Sequence, residues 1–113
     1  MLSIIIPTLN EEQQIQKLLL QLSTQRNVSF EIIVSDGGSK DATLKIAKDI
    51  GAVIVSGEPG RGKQLNNGAQ YAKGEYFLFL HADSGIENKF QLKDSLDFIK
   101  GLPKPSAGHF KLN

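Results

Sequence analysis

Cysteine is absent from this chain of 113 residues, which excludes disulfides and thiolate metal sites and suits a reducing compartment. Long apolar runs are absent as well, and no stretch approaches the ~18 residues of a membrane span. Nor is there an excess of charge of either sign. Thirteen basic residues against twelve acidic leave a formal net charge of +1, so bulk electrostatics give no reason to expect nucleic acid or a membrane surface as partner. Repeats and low-complexity tracts do not occur. The opening Met1-Leu2-Ser3-Ile4-Ile5-Ile6-Pro7 lacks the basic segment and long apolar stretch of a signal peptide, and a cytoplasmic location is the expectation. What is present is ordinary: 40% hydrophobic and 22% charged residues, the composition of a globular protein, at a length that suits one domain over 1–113.

The apolar pattern alternates between two kinds of segment. Leu2–Pro7 predicts a strand closed by Pro7, which cannot donate to a ladder. Asn10, with Gln13 three residues on, has the form of a capping box. Ile15, Leu18, Leu19 and Leu22 then recur at helical spacing, predicting a helix over 11–25. Phe30–Ser35 predicts a second strand. A turn at Asp36–Ser39 follows, then a helix capped by Ser39 or Asp41, with Leu44, Ile46, Ala47 and Ile50 as its apolar face and Gly51 as its terminator. Ala52–Ser56 predicts a third strand, 63–73 a helix stopped by Gly74, and Glu75–His81 a fourth strand. A helix near 88–100 ends at Gly101, a loop holds Pro103 and Pro105, and 108–113 starts another strand. The unbroken apolar run Tyr76–Leu80 fits a strand buried on both faces. Strands alternating with helices predict an α/β fold: a Rossmann-like, doubly wound, mainly parallel sheet with helices on both faces.

In such a sheet the loops after successive strands share one rim, where ligands bind. Here those loops are Pro7–Glu11, Ser35–Ser39, Gly57–Lys63 and His81–Ser84. Glu11 and Asp36 can accept hydrogen bonds from a base imide or ribose hydroxyls. Arg61 and Lys63 can pair with phosphate oxygens. Asp83 can hold a divalent cation that bridges a diphosphate. Together they describe a site for a nucleoside diphosphate. Each residue also has a plainer role open to it. Asn10 and Ser39 can serve as caps, Glu11 as a complement to a helix dipole, and Asp83 as the cap of a turn. His81, at the end of a buried strand, is as readily structural as a ligand. Gly57–Gln64 also approaches the phosphate loop G-x-x-x-x-G-K-[ST]. Gln64 stands where the Mg²⁺-binding hydroxyl belongs, and the segment follows the third strand rather than the first.

These segments resemble family 2 glycosyltransferases. Ile4–Glu12 resembles the family's opening strand and loop, and Glu31–Thr43 the signature V-D-D-G-S-x-D-x-T. Gly60–Ala69 resembles the third motif, and Leu80–Ser84 the D-x-D region; the version with D-G-G-S, G-R-x-x-Q-x-N and L-H-A-D is similar to one bacterial subgroup. The resemblance implies a glycosyltransferase A-type fold and transfer of a sugar from a nucleotide-diphosphate sugar, with UDP favoured and GDP the alternative. It implies that Pro7, Thr8 and Glu11 line the nucleoside pocket, that Asp36 contacts the base, and that Arg61, Lys63 and Asn66 lie near ribose or diphosphate. Leu9, Asn10, Gly38 and Ala82 count among the donor-binding residues, and Asp83, with His81 as a lesser candidate, would bind Mg²⁺ or Mn²⁺.

Two departures stand out. Gly37 replaces the second Asp of the second signature, and His81 the first Asp of D-x-D. The family's catalytic base, a carboxylate for inverting attack, belongs to an acceptor-binding half expected beyond residue 113. The expectation is therefore a donor-binding half truncated before that region, with self-association through an exposed sheet edge and, in a longer parent, a membrane-associated acceptor. A non-catalytic nucleotide-binding or assembly module and a P-loop-like NTPase are the competing readings.

Overall fold

The computed structural model describes residues 1–86, 88–102 and 109–111. Its elements alternate: β1 (Leu2–Thr8), α1 (Glu12–Leu22), β2 (Phe30–Asp36), α2 (Thr43–Asp49), β3 (Val53–Ser56), α3 (Arg61–Ala69), β4 (Tyr76–Phe79), α4 (Gln91–Lys100) and β5 (His109–Lys111). The loop expected at Pro103 and Pro105 lies outside the described residues, as do Gly108, Leu112 and Asn113 of the expected last strand.

The sheet has the order β3-β2-β1-β4-β5, with every pairing parallel. The chain moves outward from β1 through β2 to β3, then returns to lay β4 on the other side of β1. The reversal puts a switch point between β1 and β4, where a doubly wound sheet opens a crevice beyond its strand ends.

Strand alternation sorts the core into two layers. Leu2, Ile4, Ile6, Val34, Leu78 and Leu80 pack with Ile15, Leu18, Leu19 and Leu22 of α1, Ala47 of α2, and Leu92 and Leu96 of α4. Ile5, Ile33 and Val55 face the other way, toward Leu65 and Ala69 of α3. Helices thus cover both faces, as expected, but unevenly. α3 packs over β1 and β2, and Gly68 permits it: a Cβ there would stand 2.7 Å from Ile5 Cγ2 and 3.3 Å from Ser35 Cβ. β4 reflects the imbalance. Leu78 is buried, whereas Phe77 and Phe79 on the α3 side are half-buried, so the expectation of burial on both faces holds for one.

Several boundaries shift for local reasons. α1 ends before 25 because the Ser23 and Thr24 hydroxyls donate to the carbonyls of Leu20 and Gln21. The released Gln25 is buried and anchors α4, donating to the Asn88 carbonyl (2.8 Å) and accepting from the Leu92 N–H (2.8 Å). Gly51 closes α2 as expected, at φ 90°, with its own N–H on Lys48 O and that of Ala52 on Ala47 O, the Schellman pattern. Ile50, expected in the core, is exposed. α3 starts at Arg61 rather than 63, directly after Gly60 at φ 142°.

Candidate functional site

Pro7 lies inside β1, paired with Ser35, rather than closing the strand. Ile5 O accepts from Leu80 N on the β4 side, and Thr8 O from Gly37 N on the β2 side. Odd-numbered residues of β1 therefore turn their backbone polar groups toward β4, which has already ended at the level of Pro7. The missing N–H of proline thus falls where β1 and β4 part, and the crevice opens without an orphaned donor.

The amino end of α1 is not capped from within. Asn10, expected as its N-cap, sits at φ 53°, and its Oδ1 accepts from Lys40 N (2.7 Å). The donors of the first turn are satisfied by the loop after β2 instead. Asn10 N donates to Ser39 Oγ (2.8 Å), Glu11 N to Thr43 Oγ1 (2.9 Å) and Glu12 N to Asp41 Oδ2 (3.2 Å). Glu12 reciprocates by accepting from Ala42 N (3.2 Å). Asp41 also accepts from Thr43 N (3.0 Å), serving α2 from the residue before its N-cap Ala42. The first two loops are one hydrogen-bonded unit.

Asp36 is the centre of that unit. It is 1% exposed. One oxygen accepts from the hydroxyls of Thr8 (2.7 Å) and Ser39, the other from the N–H groups of Gly38 (2.9 Å) and Ser39 (2.7 Å). Burial alone would push this carboxyl up; the bonds from Ser39, Thr8 and Gly38 outweigh it and hold it below the usual aspartate value. Gly38, at φ 112°, aims its N–H inward. Asp36 thus builds the wall of the site and does not line the open cleft.

That cleft, about 180 Å³, is lined by Pro7, Thr8, Leu9, Glu11, Arg61 and Gln64. Gln64, a mismatch to the phosphate loop and the Gln of G-R-x-x-Q-x-N, is buried here. Its Nε2 donates to Thr8 O (2.9 Å) and Ser35 O (2.9 Å), and its Oε1 accepts from Gly60 N (3.1 Å). Gly60 N–H, which a phosphate loop would offer to its ligand, is therefore engaged. Lys63 is exposed and paired with Glu58 at 3.2 Å, so neither residue acts as the phosphate loop requires. Asn66 is exposed and lies half a turn round α3 from buried Gln64.

β4 stops at Phe79, short of the expected His81, and the chain folds into a turn. Ser84 N donates to His81 O (2.9 Å), and His81 N donates to Ser84 Oγ (3.0 Å). Ala82 is buried beneath this turn and Asp83 is exposed. Arg61 donates from Nη2 to His81 Nε2, joining the third loop to the fourth. Because guanidinium only donates, Nε2 acts as acceptor and a cation would have to displace Arg61 to reach it.

Glu11, after β1, and Asp83, after β4, flank the switch point, near enough for the charge of one to act on the other. Burial first, and then the Asp83 charge with a smaller effect of Asp41, push the Glu11 carboxyl above its usual value. A carboxylate raised in the folded state weakens folding above that raised value and has no such effect below its unfolded value, ~4.3. Glu11→Gln is therefore expected to raise the thermal midpoint of the ligand-free chain at pH 7. The gain should vanish by about pH 4; a constant difference across pH would refute the raised carboxyl.

Among the described residues no three of His, Cys, Asp and Glu come together to hold a metal. Mg²⁺ and Mn²⁺ take oxygen ligands, and sites with one or two carboxylates complete their shell with phosphate and water. Asp83, with Glu11 beside it, fits a cation shared with a diphosphate and not one caged by protein.

The structure brings Pro7, Thr8, Leu9, Glu11 and Arg61 to one cleft; His81 is joined to it through Arg61, and Asp83 lines a neighbouring cavity with Gln14, Lys17 and Leu18. Asp36, Gly38 and Asn10 lie in the supporting loop pair, Ala82 lies beneath the turn, and Lys63 and Asn66 point elsewhere. Gln64, Ser39 and Thr43 were missed as site builders. The i, i+4 pair Gln64 and Gly68 on the sheet face of α3 is the one local signal that a polar group was buried there.

The glycosyl transferase family 2 model matches residues 3–105. The poly(ribitol-phosphate) beta-N-acetylglucosaminyltransferase TarS of Staphylococcus aureus (strain Mu50 / ATCC 700699) is 36% identical over 106 residues, covering 86% of this chain and 18% of TarS. The PGL/p-HBAD biosynthesis glycosyltransferase of Mycobacterium bovis (strain BCG / Pasteur 1173P2) is 37% identical over 113 residues, covering 94% of this chain and 44% of that protein. The crystal structure of S. aureus TarS 1–349 with UDP-GlcNAc superposes with a TM-score of 0.75 at 35% identity, over 88% of this chain and 31% of the other. Mycobacterium tuberculosis glucosyl-3-phosphoglycerate synthase, solved with Mn²⁺, UDP and glucosyl-3-phosphoglycerate, gives a TM-score of 0.64 at 30% identity, over 72% and 33%. The chain spans less than half the length of each of these proteins. Motifs, sheet order and relatives agree: the chain belongs to glycosyl transferase family 2 and has the nucleotide-binding architecture of the glycosyltransferase A-type fold.

Proposed function

We propose that this chain is the donor-binding part of a glycosyltransferase that takes a nucleoside-diphosphate sugar, UDP-linked by preference, with Mg²⁺ or Mn²⁺. The observation that carries the reading is the cleft at the β1/β4 switch point in which Arg61 stands with Glu11, whose carboxyl feels the charge of Asp83. A cation there would neutralise the charge of the departing diphosphate. Arg61 supplies fixed positive charge on the opposite wall, and Leu9, 44% exposed at the mouth, offers an apolar surface for a base. A base imide approaching Asp36 must share or displace the Ser39 hydroxyl, because the carboxylate is already fully bonded. The crystallised relatives support the ligand class: TarS was solved with UDP-GlcNAc, and the synthase with UDP and Mn²⁺. Inverting transfer completes the proposal.

Calorimetric titration tests it. UDP or GDP should bind in the presence of Mn²⁺, and binding should weaken at least about tenfold when EDTA replaces the metal. ATP with Mg²⁺ should bind more weakly than the better diphosphate. Tight ATP binding abolished by Lys63→Ala would sink the glycosyltransferase reading in favour of a nucleoside triphosphatase.

A further inference from the structure

Arg61 can face the cleft only if the junction between the third loop and α3 is held against the ends of β1 and β2, and a single carboxamide touches all three. Gln64, 6% exposed, lies one turn after Arg61. Its two donors reach Thr8 O and Ser35 O, at the ends of β1 and β2, and its acceptor takes the N–H of Gly60, the residue before Arg61. Only a carboxamide offers two donors and an acceptor on one planar head; Lys and Arg cannot accept, and ionised Glu cannot donate. Gly37 makes its seat. A Cβ at that position would stand 3.0 Å from Gln64 Oε1 and 3.0 Å from Pro59 Cα. The family signature carries a second Asp there, and in this chain the space is taken by Gln64 and the loop that it holds.

We propose that Gln64 is the positioning residue of Arg61, seated on Gly37, and that through Arg61 it sets the affinity of the site for a nucleoside diphosphate. The second part rests on the function proposed above; the first does not. Without the carboxamide, Gly60 N–H loses its side-chain acceptor, the bonds that tie α3 to Thr8 O and Ser35 O are lost, and the junction is free to leave the strand ends. The guanidinium then keeps its charge but loses its place, so the site weakens without losing its fold, because strand pairing and the loop pair around Asp36 do not involve Gln64.

Two measurements on the whole chain decide it, using Gln64→Met, which keeps the volume, and Gln64→Ala. The first needs no nucleotide. The chain has two arginines, Arg26 and Arg61, so the Arg61 Nε–H signal is readily assigned by NMR. Its ¹⁵N heteronuclear NOE is expected to fall in both variants, and an unchanged value overturns the proposal. The second is a double-mutant cycle read by UDP and Mn²⁺ titration. Gln64→Met should weaken UDP binding about tenfold in the native background and not at all in Arg61→Ala. Losses that multiply mean that Gln64 acts on its own and overturn the link to affinity. Failure of UDP and GDP to bind the unsubstituted chain overturns the proposed function and with it that link, while the NMR result still decides whether Gln64 positions Arg61.

Discussion

Asp36→Ala is expected to destabilise the chain by about 3–4 kcal/mol and to lower the thermal midpoint by more than about 10 °C. A side chain truncated at an exposed position changes stability by ~0.5 kcal/mol or less. Asp36 differs because four donors converge on it in a buried place, from Thr8, Gly38 and Ser39. Each donor left without a partner carries a desolvation cost of ~1–3 kcal/mol, reduced where the loop relaxes and water enters. Relaxation spreads, because Ser39 also accepts from Asn10 N and so supports the entry to α1. Asp36→Asn should recover more than half of the loss. Its amide oxygen can face the two N–H groups while its NH₂ faces the two hydroxyls, which rotate to accept. The acid limb follows from the same bonds. With the folded carboxyl held below its unfolded value, ~3.9, the contribution is complete above that value and is lost only as pH falls through the lowered one. Urea unfolding at pH 7 measures the effect; a loss under about 1 kcal/mol would show that the four bonds are replaceable.

Asp83→Ala should leave stability intact or slightly raised and cost about 100-fold in metal-dependent UDP affinity, ~2.7 kcal/mol. The two halves of this expectation belong together. Asp83 is exposed, and among the described residues its carboxylate has no hydrogen-bond or ion-pair partner, so folding does not depend on it. Its removal also relieves the repulsion with Glu11. A lost affinity then cannot be ascribed to a misfolded sample. His81 cannot readily compensate, since its Nε2 already receives Arg61. Mn²⁺ alone should bind weakly to the nucleotide-free chain. Appreciable Mn²⁺ binding that survives Asp83→Ala would refute the assignment.

The architecture was legible in the sequence because its signals are local. Ile15, Leu18, Leu19 and Leu22 mark one face of α1 without reference to any other segment, and Gly51 ends α2 by its own backbone freedom. The site was legible at the level of its loops, since strand ends in a parallel sheet converge whatever they carry. What stayed hidden is long-range. Asn10 matches a capping pattern, yet the donors that it should serve find acceptors about thirty residues onward, at Ser39, Asp41 and Thr43. Asp36 reads as a ligand-binding carboxylate, and the donors from Thr8 and the turn that surround it leave no mark in the sequence. Gln64 reads as a spoiled motif because a buried amide and an exposed one are the same letter. Lys63 and Asn66 stand beside Arg61 in the motif Gly60–Ala69, and the start of α3 at Arg61 puts both on its exposed side.

The place of β1 in the sheet also bears on how the protein is made. Residues 2–43 can close early, because β1 and β2 are joined by one short helix and their loops cap one another. The other flank of β1 must wait for Tyr76–Phe79, since Leu2 pairs with Tyr76 across most of the chain. Until the ribosome has released that segment, Leu2, Ile4, Ile5 and Ile6 present an unpaired apolar edge, the kind of template on which nascent chains aggregate. Arrival of β4 covers that edge of β1 and creates the switch point in the same step, so the crevice appears only once β1 is paired on both flanks.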